Sequence, residues 1–275
     1  MMLNTVHHLL YDYESIKRYN PLMTLPSDQT LEKLQFYVTT GYTCGYLPNK
    51  MAQSLIASPQ HLINTEIYSG LIQQGFRRSG KFAYRPHCEN CMSCVPVRIP
   101  VQLYEANRSQ KRAFKQHQHL TTHILPIAFN EAHYQLYTAY QLARHSKPDT
   151  QEDHFEVDEV EQYKSFLCQS NIDSVMVEFR DSGTLKMVSI IDIVNDGISA
   201  VYTFYDVTDL QTSDKNPAKR ASYGTYNILW QINWAKTLNL PYLYLGYWIK
   251  ESQKMAYKSN YQPLERLIDG EWIKF

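Results

Sequence analysis

No stretch of this 275-residue chain approaches the roughly 18 to 20 consecutive apolar residues that a membrane-spanning helix requires. The first cation is Lys17, so the amino end also lacks the basic flank of a secretory signal peptide. A cytoplasmic protein with no membrane partner is expected. Glycine and proline are few, 10 and 12 residues, which with 44% hydrophobic content excludes collagen-like, low-complexity and disordered chains. Cysteine is sparse and odd in number: Cys44, Cys88, Cys91, Cys94 and Cys168. Without an export signal these thiols are expected to be reduced, leaving metal binding or plain burial as their uses. Net charge is absent as well, 27 Lys plus Arg against 27 Asp plus Glu.

That balance conceals segregation. Residues 71 to 120 carry Arg77, Arg78, Lys81, Arg85, Arg98, Arg108, Lys111, Arg112 and Lys115 against Glu89 and Glu105 alone, while seven carboxylates without a cation lie between Asp149 and Glu161. An acidic run of that kind is ordinarily a solvated face. Tyrosine supplies 22 residues, an apolar ring with a polar tip that suits both cores and cleft walls.

Asn64 is placed to cap a helix through Gln74, with Ile67, Leu71 and Ile72 at helical spacing and Gly75 at its end. The chain then passes through Arg77 and Arg78. Val95, Val97, Ile99 and Val101 alternate with Pro96, Arg98 and Pro100, which predicts an edge strand with Arg98 on its polar face. Asn107 begins another helix. A boundary near 102 to 107 divides an amino-terminal domain, 1 to 105, from a carboxyl-terminal one, 106 to 275. In the latter, helices around 131 to 144 and 159 to 169 precede strands at 173 to 180, 185 to 194 and 198 to 205. Asp181-Ser182-Gly183 and Asn195-Asp196-Gly197 turn between those strands and predict an antiparallel meander. A helix from about Thr225 to Thr237, a strand from Tyr242 to Leu245 and a helix near Lys254 follow. The fold class expected is α+β, with a smaller Cys-containing amino-terminal domain before a carboxyl domain whose element order is that of GNAT-type acyltransferases.

His87-Cys88-x-x-Cys91-x-x-Cys94 has the spacing by which thiolates converge on a tetrahedral ion, and Cys44 can supply a fourth sulfur. The candidates are a structural zinc or an iron–sulfur cluster, with buried thiols as the plain alternative. Cys168, on an apolar helix face, reads as core. Arg108, Lys111, Arg112 and Lys115 follow at i, i+3, i+4 and i+7, so a helix from Asn107 gathers four like charges on one face. An external polyanion relieves that repulsion, which points to the phosphate backbone of a nucleic acid, with a solvated face as the plain alternative. Arg77, Arg78 and Arg98 supply forked guanidiniums able to grip a carboxylate, with pairing of one or two of them to internal acids as the plain alternative.

Several blocks occur in one order: Cys44-Gly45-Tyr46-Leu47-Pro48, Gly75-Phe76-Arg77-Arg78-Ser79-Gly80, Tyr84-Arg85-Pro86-His87-Cys88, Arg108-Ser109-Gln110-Lys111-Arg112, Tyr223-Gly224-Thr225-Tyr226, Tyr244-Leu245-Gly246-Tyr247-Trp248-Ile249 and Lys254-Met255-Ala256-Tyr257-Lys258. In these blocks the chain resembles the bacterial aspartate/glutamate leucyltransferases, relatives of the eukaryotic arginyl-tRNA-protein transferases. The resemblance implies transfer of leucine from leucyl-tRNA to proteins beginning with Asp or Glu, within N-degron-directed degradation, and a GNAT-like carboxyl domain. Leu47 stands where the eukaryotic enzymes carry a second cysteine, which favours leucine over arginine and weakens any metal set borrowed from them.

Such chemistry requires neither ATP nor a metal, because the ester is already activated and an α-amino group with a pKa near 7.7 to 8 is partly neutral at physiological pH. The roles expected are RNA binding by Arg108, Lys111, Arg112 and Lys115, and acceptor binding by Arg77, Arg78 or Arg98. Tyr205, Asp206, Gly246, Tyr247 and Lys254 are expected around the ester, with Asp206 as proton acceptor and an amide beyond Gly246 as oxyanion donor. DNA is not an expected partner. A CoA-dependent acetyltransferase is disfavoured because the segment Arg220-Ala221-Ser222-Tyr223-Gly224 lacks the spacing of a pyrophosphate loop. A noncatalytic zinc-bearing RNA-binding module leaves the aromatic carboxyl half without a purpose.

Overall fold

A computed structural model describes residues 34–145, 158–208 and 222–275. Most of the acidic run between Asp149 and Glu161, together with Arg220 and Ala221, lies outside the described residues. In chain order the strands and helices begin with β1 (Gln35–Val38), β2 (Tyr42–Thr43), β3 (Met51–Ala52), β4 (Ser54–Ser58), α1 (Thr65–Gln73), β5 (Arg77–Ser79), β6 (Phe82–Pro86) and β7 (Val95–Pro100). Next come α2 (Arg108–His117), β8 (Thr121–Pro126), α3 (Glu131–His145), α4 (Glu159–Leu167), β9 (Ser174–Asp181), β10 (Thr184–Val194) and β11 (Gly197–Tyr205). The chain closes with α5 (Tyr223–Thr237), β12 (Tyr242–Trp248), the single-turn α6 (Gln253–Ala256), β13 (Glu265–Ile268) and β14 (Glu271–Lys274). A mixed α+β fold results, as expected.

Local chemistry sets most of these boundaries. The Asn64 side chain accepts from the Ile67 amide at 3.0 Å and starts α1, and Gly75 at φ +82° releases the chain into β5. Asn107 and Gln110 cap α2 reciprocally, satisfying amides that a helix start leaves unpaired. Ser182 and Gly183 both take positive φ in the turn between β9 and β10, and β9, β10 and β11 pair antiparallel as the turn residues predict.

The larger sheet has the order β14-β13-β7-β12-β11-β10-β9-β8; a smaller one runs β1-β4-β6-β5. Strand β7 is therefore not an edge strand: β12 pairs along it on one side and β13 on the other. The β13 ladder meets only Val97 and Arg98, between the two prolines that cannot donate. A strand preceding residue 102 thus lies inside the large sheet. Helices cover both faces of the meander. Val175, Val177 and Phe179 share a buried cluster with residues of α5, whereas Met176, Val188 and Phe204 pack with Tyr163 and Leu167 of α4. Cys168 is the C-cap of α4 and only half-buried against that second cluster, rather than core.

One feature of the large sheet positions the site. Strands β11 and β12 are parallel and pair only at Gly197 with Tyr242, Ile198 with Leu243 and Ser199 with Tyr244. Beyond those pairs they separate, β11 running on to Tyr205 and β12 to Trp248, and a fork opens between them.

Candidate active site at the fork

A guanidinium closes the bottom of the fork. Strand β5 enters in register with β6, and because successive strand residues face opposite ways, Arg77 and Arg78 diverge. Arg77 Nη1 donates to Ser199 Oγ at 3.2 Å and to the Tyr244 carbonyl at 3.5 Å, and Nη2 donates to the Ala200 carbonyl. These acceptors lie where the two strands part, so Arg77 replaces the ladder that ends there. Gly246, at φ +77°, lets the backbone lie against it; a Cβ at this position would stand 3.1 Å from Arg77 Cζ.

No carboxylate among the described residues pairs with Arg77, in contrast to the other two candidate arginines. Arg78 binds Asp192 through Nη2 at 2.6 Å and through Nε, and its Nη1 donates to the carbonyls of Gly80 and Gln169. Arg98 is buried beneath the sheet rather than on a polar face. Its Nε donates to Glu265 at 2.7 Å, its Nη1 to Gln73 at 3.0 Å, and its guanidinium lies over the rings of Tyr242 and Trp272. Both guanidiniums are thus already paired with a carboxylate of the protein.

The wall beside Arg77 is aromatic and neutral. Tyr247 is buried, its hydroxyl donates to the Gly75 carbonyl at 3.0 Å, and burial pushes this phenol and that of Tyr84 upward. Lys258, not anticipated from the sequence, donates from Nζ to the Tyr247 carbonyl at 2.6 Å. Burial, aided by nearby Arg77, pulls this amine down to about 7. Tyr205 accepts from Arg144 Nη2 at 2.6 Å and packs on Tyr140 and Tyr223. Asp206 is bound to Lys186 at 2.7 Å and to Thr208. Burial works to raise it, but those hydrogen bonds hold its carboxyl below the ordinary range. That makes it a stable anion and a poor proton acceptor. Lys254 is exposed on α6.

Helix α2 presents Arg108, Lys111, Arg112 and Lys115 to solvent, and none of the four is ion-paired among the described residues, while Gln110, Ala113 and His117 form its buried face. The cysteines at 44, 88, 91 and 94 are half-buried and unbridged. The Leu47 amide donates to Cys44 Sγ at 3.4 Å, and burial followed by the neighbouring thiols pushes Cys94 up to about 12. Among the described residues no three His, Cys, Asp or Glu side chains are arranged to hold an ion.

Profiles of known families match two long stretches: Arginine-tRNA-protein transferase, N terminus, over residues 42–112, and Arginine-tRNA-protein transferase, C terminus, over residues 132–268. Both profiles place the chain in that broad class of transferases. The relative from Methylobacillus flagellatus called aspartate/glutamate leucyltransferase is 62% identical over 254 residues, spanning 91% of this chain and 95% of that protein. Its counterpart from Nitrosospira multiformis is 49% identical over 91% of this chain and 94% of its own. This chain belongs to the aspartate/glutamate leucyltransferase family. Among solved structures, L-PGS from Bacillus licheniformis shows a slight likeness, with a TM-score of 0.39 at 10% identity over 64% of this chain and 48% of that one.

Proposed function

We propose that the protein moves leucine from leucyl-tRNA to the α-amino group of proteins beginning with Asp or Glu, in the cytoplasm, and so prepares them for N-degron-directed degradation. The observation that carries the acceptor side is Arg77, a guanidinium at the base of an open fork with no carboxylate of its own among the described residues. An acidic side chain entering the fork supplies that carboxylate, and a charge-assisted pair favours it over a neutral one.

The splayed parallel strands support a GNAT-like reading of the carboxyl domain, 106 to 275, with the segment up to residue 105 contributing acceptor recognition. In this reading the ester lies against Tyr205 and the Gly246-Tyr247 turn, with Lys254 toward the RNA side and an amide beyond Gly246 facing the developing oxyanion. The nucleophile is the neutral fraction of the acceptor amine, present without a dedicated base at a pKa near 7.7 to 8. Asp206, tied to Lys186, contributes negative potential rather than proton transfer. Attack on the ester carbonyl forms the amide, and the ribose hydroxyl of the RNA leaves with a proton. No step requires a metal or cofactor; any zinc or iron–sulfur cluster on Cys44, Cys88, Cys91 and Cys94 would be structural. The exposed cations of α2 carry RNA phosphates.

The test is a transfer assay crossing leucyl-, phenylalanyl- and arginyl-tRNA with peptides beginning in Asp, Glu, Ala or Lys. Product with leucyl-tRNA and acidic peptides alone is expected. Transfer of arginine in place of leucine, or equal transfer to alanine-initiated peptides, overturns the reading.

A further inference from the structure

Between the cationic helix and the fork stands a single turn that joins them. Gln110, on the inner face of α2, donates from Nε2 to the Asn260 carbonyl at 3.1 Å, while its Oε1 accepts from the Asn107 amide and from the Tyr104 hydroxyl. The turn Tyr257–Asn260 is therefore fastened to the amino-terminal end of α2, the end that carries Arg108, Lys111 and Arg112. At the other side of the same turn, Lys258 holds the Tyr247 carbonyl, next to Gly246 and the Arg77 guanidinium. Tyr257 sits at this junction. It follows the single-turn α6 and remains 44% exposed, and its ring is backed edge-on by Tyr261, which in turn stacks on Tyr104. Burial, followed by Tyr261, pushes its phenol up to about 12, and Arg77 and Tyr205 are near enough to act on that hydroxyl, so the exposed part of the ring is its face and edge rather than its polar tip.

A flat aromatic surface placed between a phosphate-binding face and the position of an ester has a defined use. The aminoacyl group hangs from the last nucleotide of the RNA, a single-stranded end whose base is free to stack. An aromatic ring recognises such a base through its π face, without hydrogen-bond readout. We infer that Tyr257 is the stacking platform for the 3′-terminal base of the aminoacyl-RNA, and that it aligns the ester with the fork. This inference rests on the reading that an RNA carries the donor.

The experiment is a binding cycle with deacylated tRNA, intact or trimmed of its 3′-terminal nucleotide, against wild type, Tyr257→Ala and Tyr257→Trp, with thermal unfolding confirming that each variant is folded. Tyr257→Ala is expected to weaken binding of intact tRNA about tenfold, within the range for loss of one base–aromatic stack. It is expected to cost nothing further on trimmed tRNA, because the partner is already gone. Tyr257→Trp keeps the platform, restores affinity, and its emission is quenched by intact but not by trimmed tRNA. In the transfer assay Tyr257→Ala raises KM for leucyl-tRNA and leaves KM for the acidic peptide unchanged. Penalties from Tyr257→Ala and trimming that simply add, or a change confined to the peptide KM, overturn the assignment. Failure of the wild type to bind intact tRNA overturns the RNA-donor reading itself, a distinguishable outcome.

Discussion

Arg78→Met separates the two adjacent arginines by consequence. The Arg78 and Asp192 side chains are 3% and 0% exposed, and the substitution removes the whole guanidinium from that carboxylate while leaving only the Ser174 hydroxyl, at 2.6 Å, to satisfy it. Breaking a buried pair by removing one partner costs about 3–5 kcal/mol, because an uncompensated charge stays behind. Set against a total stability of roughly 5–15 kcal/mol, that loss is a large fraction of the whole. With a urea m value of about 3 kcal/mol/M, the unfolding midpoint falls by roughly 1–1.7 M. The double variant Arg78→Met/Asp192→Leu removes both charges and recovers most of the loss, since an apolar pair of similar volume is tolerated where a lone ion is not. Equilibrium urea unfolding followed by tyrosine and tryptophan fluorescence gives the midpoints. A midpoint within about 0.3 M of wild type, accompanied by a vanished preference for acidic peptides, refutes the structural assignment of Arg78 and makes it part of the acceptor site.

Other perturbations have outcomes that can be stated. Gly246→Ala meets Arg77 at 3.1 Å in a left-handed backbone; a strain of about 1–2 kcal/mol and a displaced guanidinium are expected, read as a raised KM for Asp-initiated peptides. Lys258 is depressed to about 7 in the folded protein, below its unfolded value, so the unfolded chain binds more protons between about pH 7 and 10 and stability rises with pH there. Lys258→Met removes that slope, at most about 1.4 kcal/mol per pH unit, and chemical unfolding at pH 7, 8 and 9 detects the change. Replacing Lys111 and Lys115 by Gln makes the dependence of tRNA affinity on salt shallower by about one logarithmic unit for each phosphate no longer neutralised, without altering peptide KM.

The features legible in the sequence are those set by local chemistry. Asn64 and Asn107 began helices as their caps require, and the turns at Asp181 and Asn195 produced the meander. Pairing between distant segments was not legible. The alternation from Val95 to Val101 has the period of a half-exposed strand, but the face carrying Arg98 is covered by Tyr242, Trp272 and Glu265, none of them near in sequence. Arginine looks identical in sequence whether its partner is internal or arrives with a substrate, so Arg77, Arg78 and Arg98 separated only once Asp192 and Glu265 were located. Lys254 and Lys258 would share a face in a continuous helix. The change from α6 to a tighter turn at Tyr257 sends Lys258 inward and leaves Lys254 outside.

The central claim is that Arg77 selects acceptors by charge. Peptides beginning in Asp and in Asn differ in charge but scarcely in shape, so the ratio of their kcat/KM values for leucine transfer, measured on wild type and on Arg77→Gln, isolates that term. The account predicts a strong preference for Asp in the wild type that falls at least about tenfold in the variant, the worth of one hydrogen-bonded charge pair. An unchanged ratio in Arg77→Gln, with both peptides slowed alike, contradicts it.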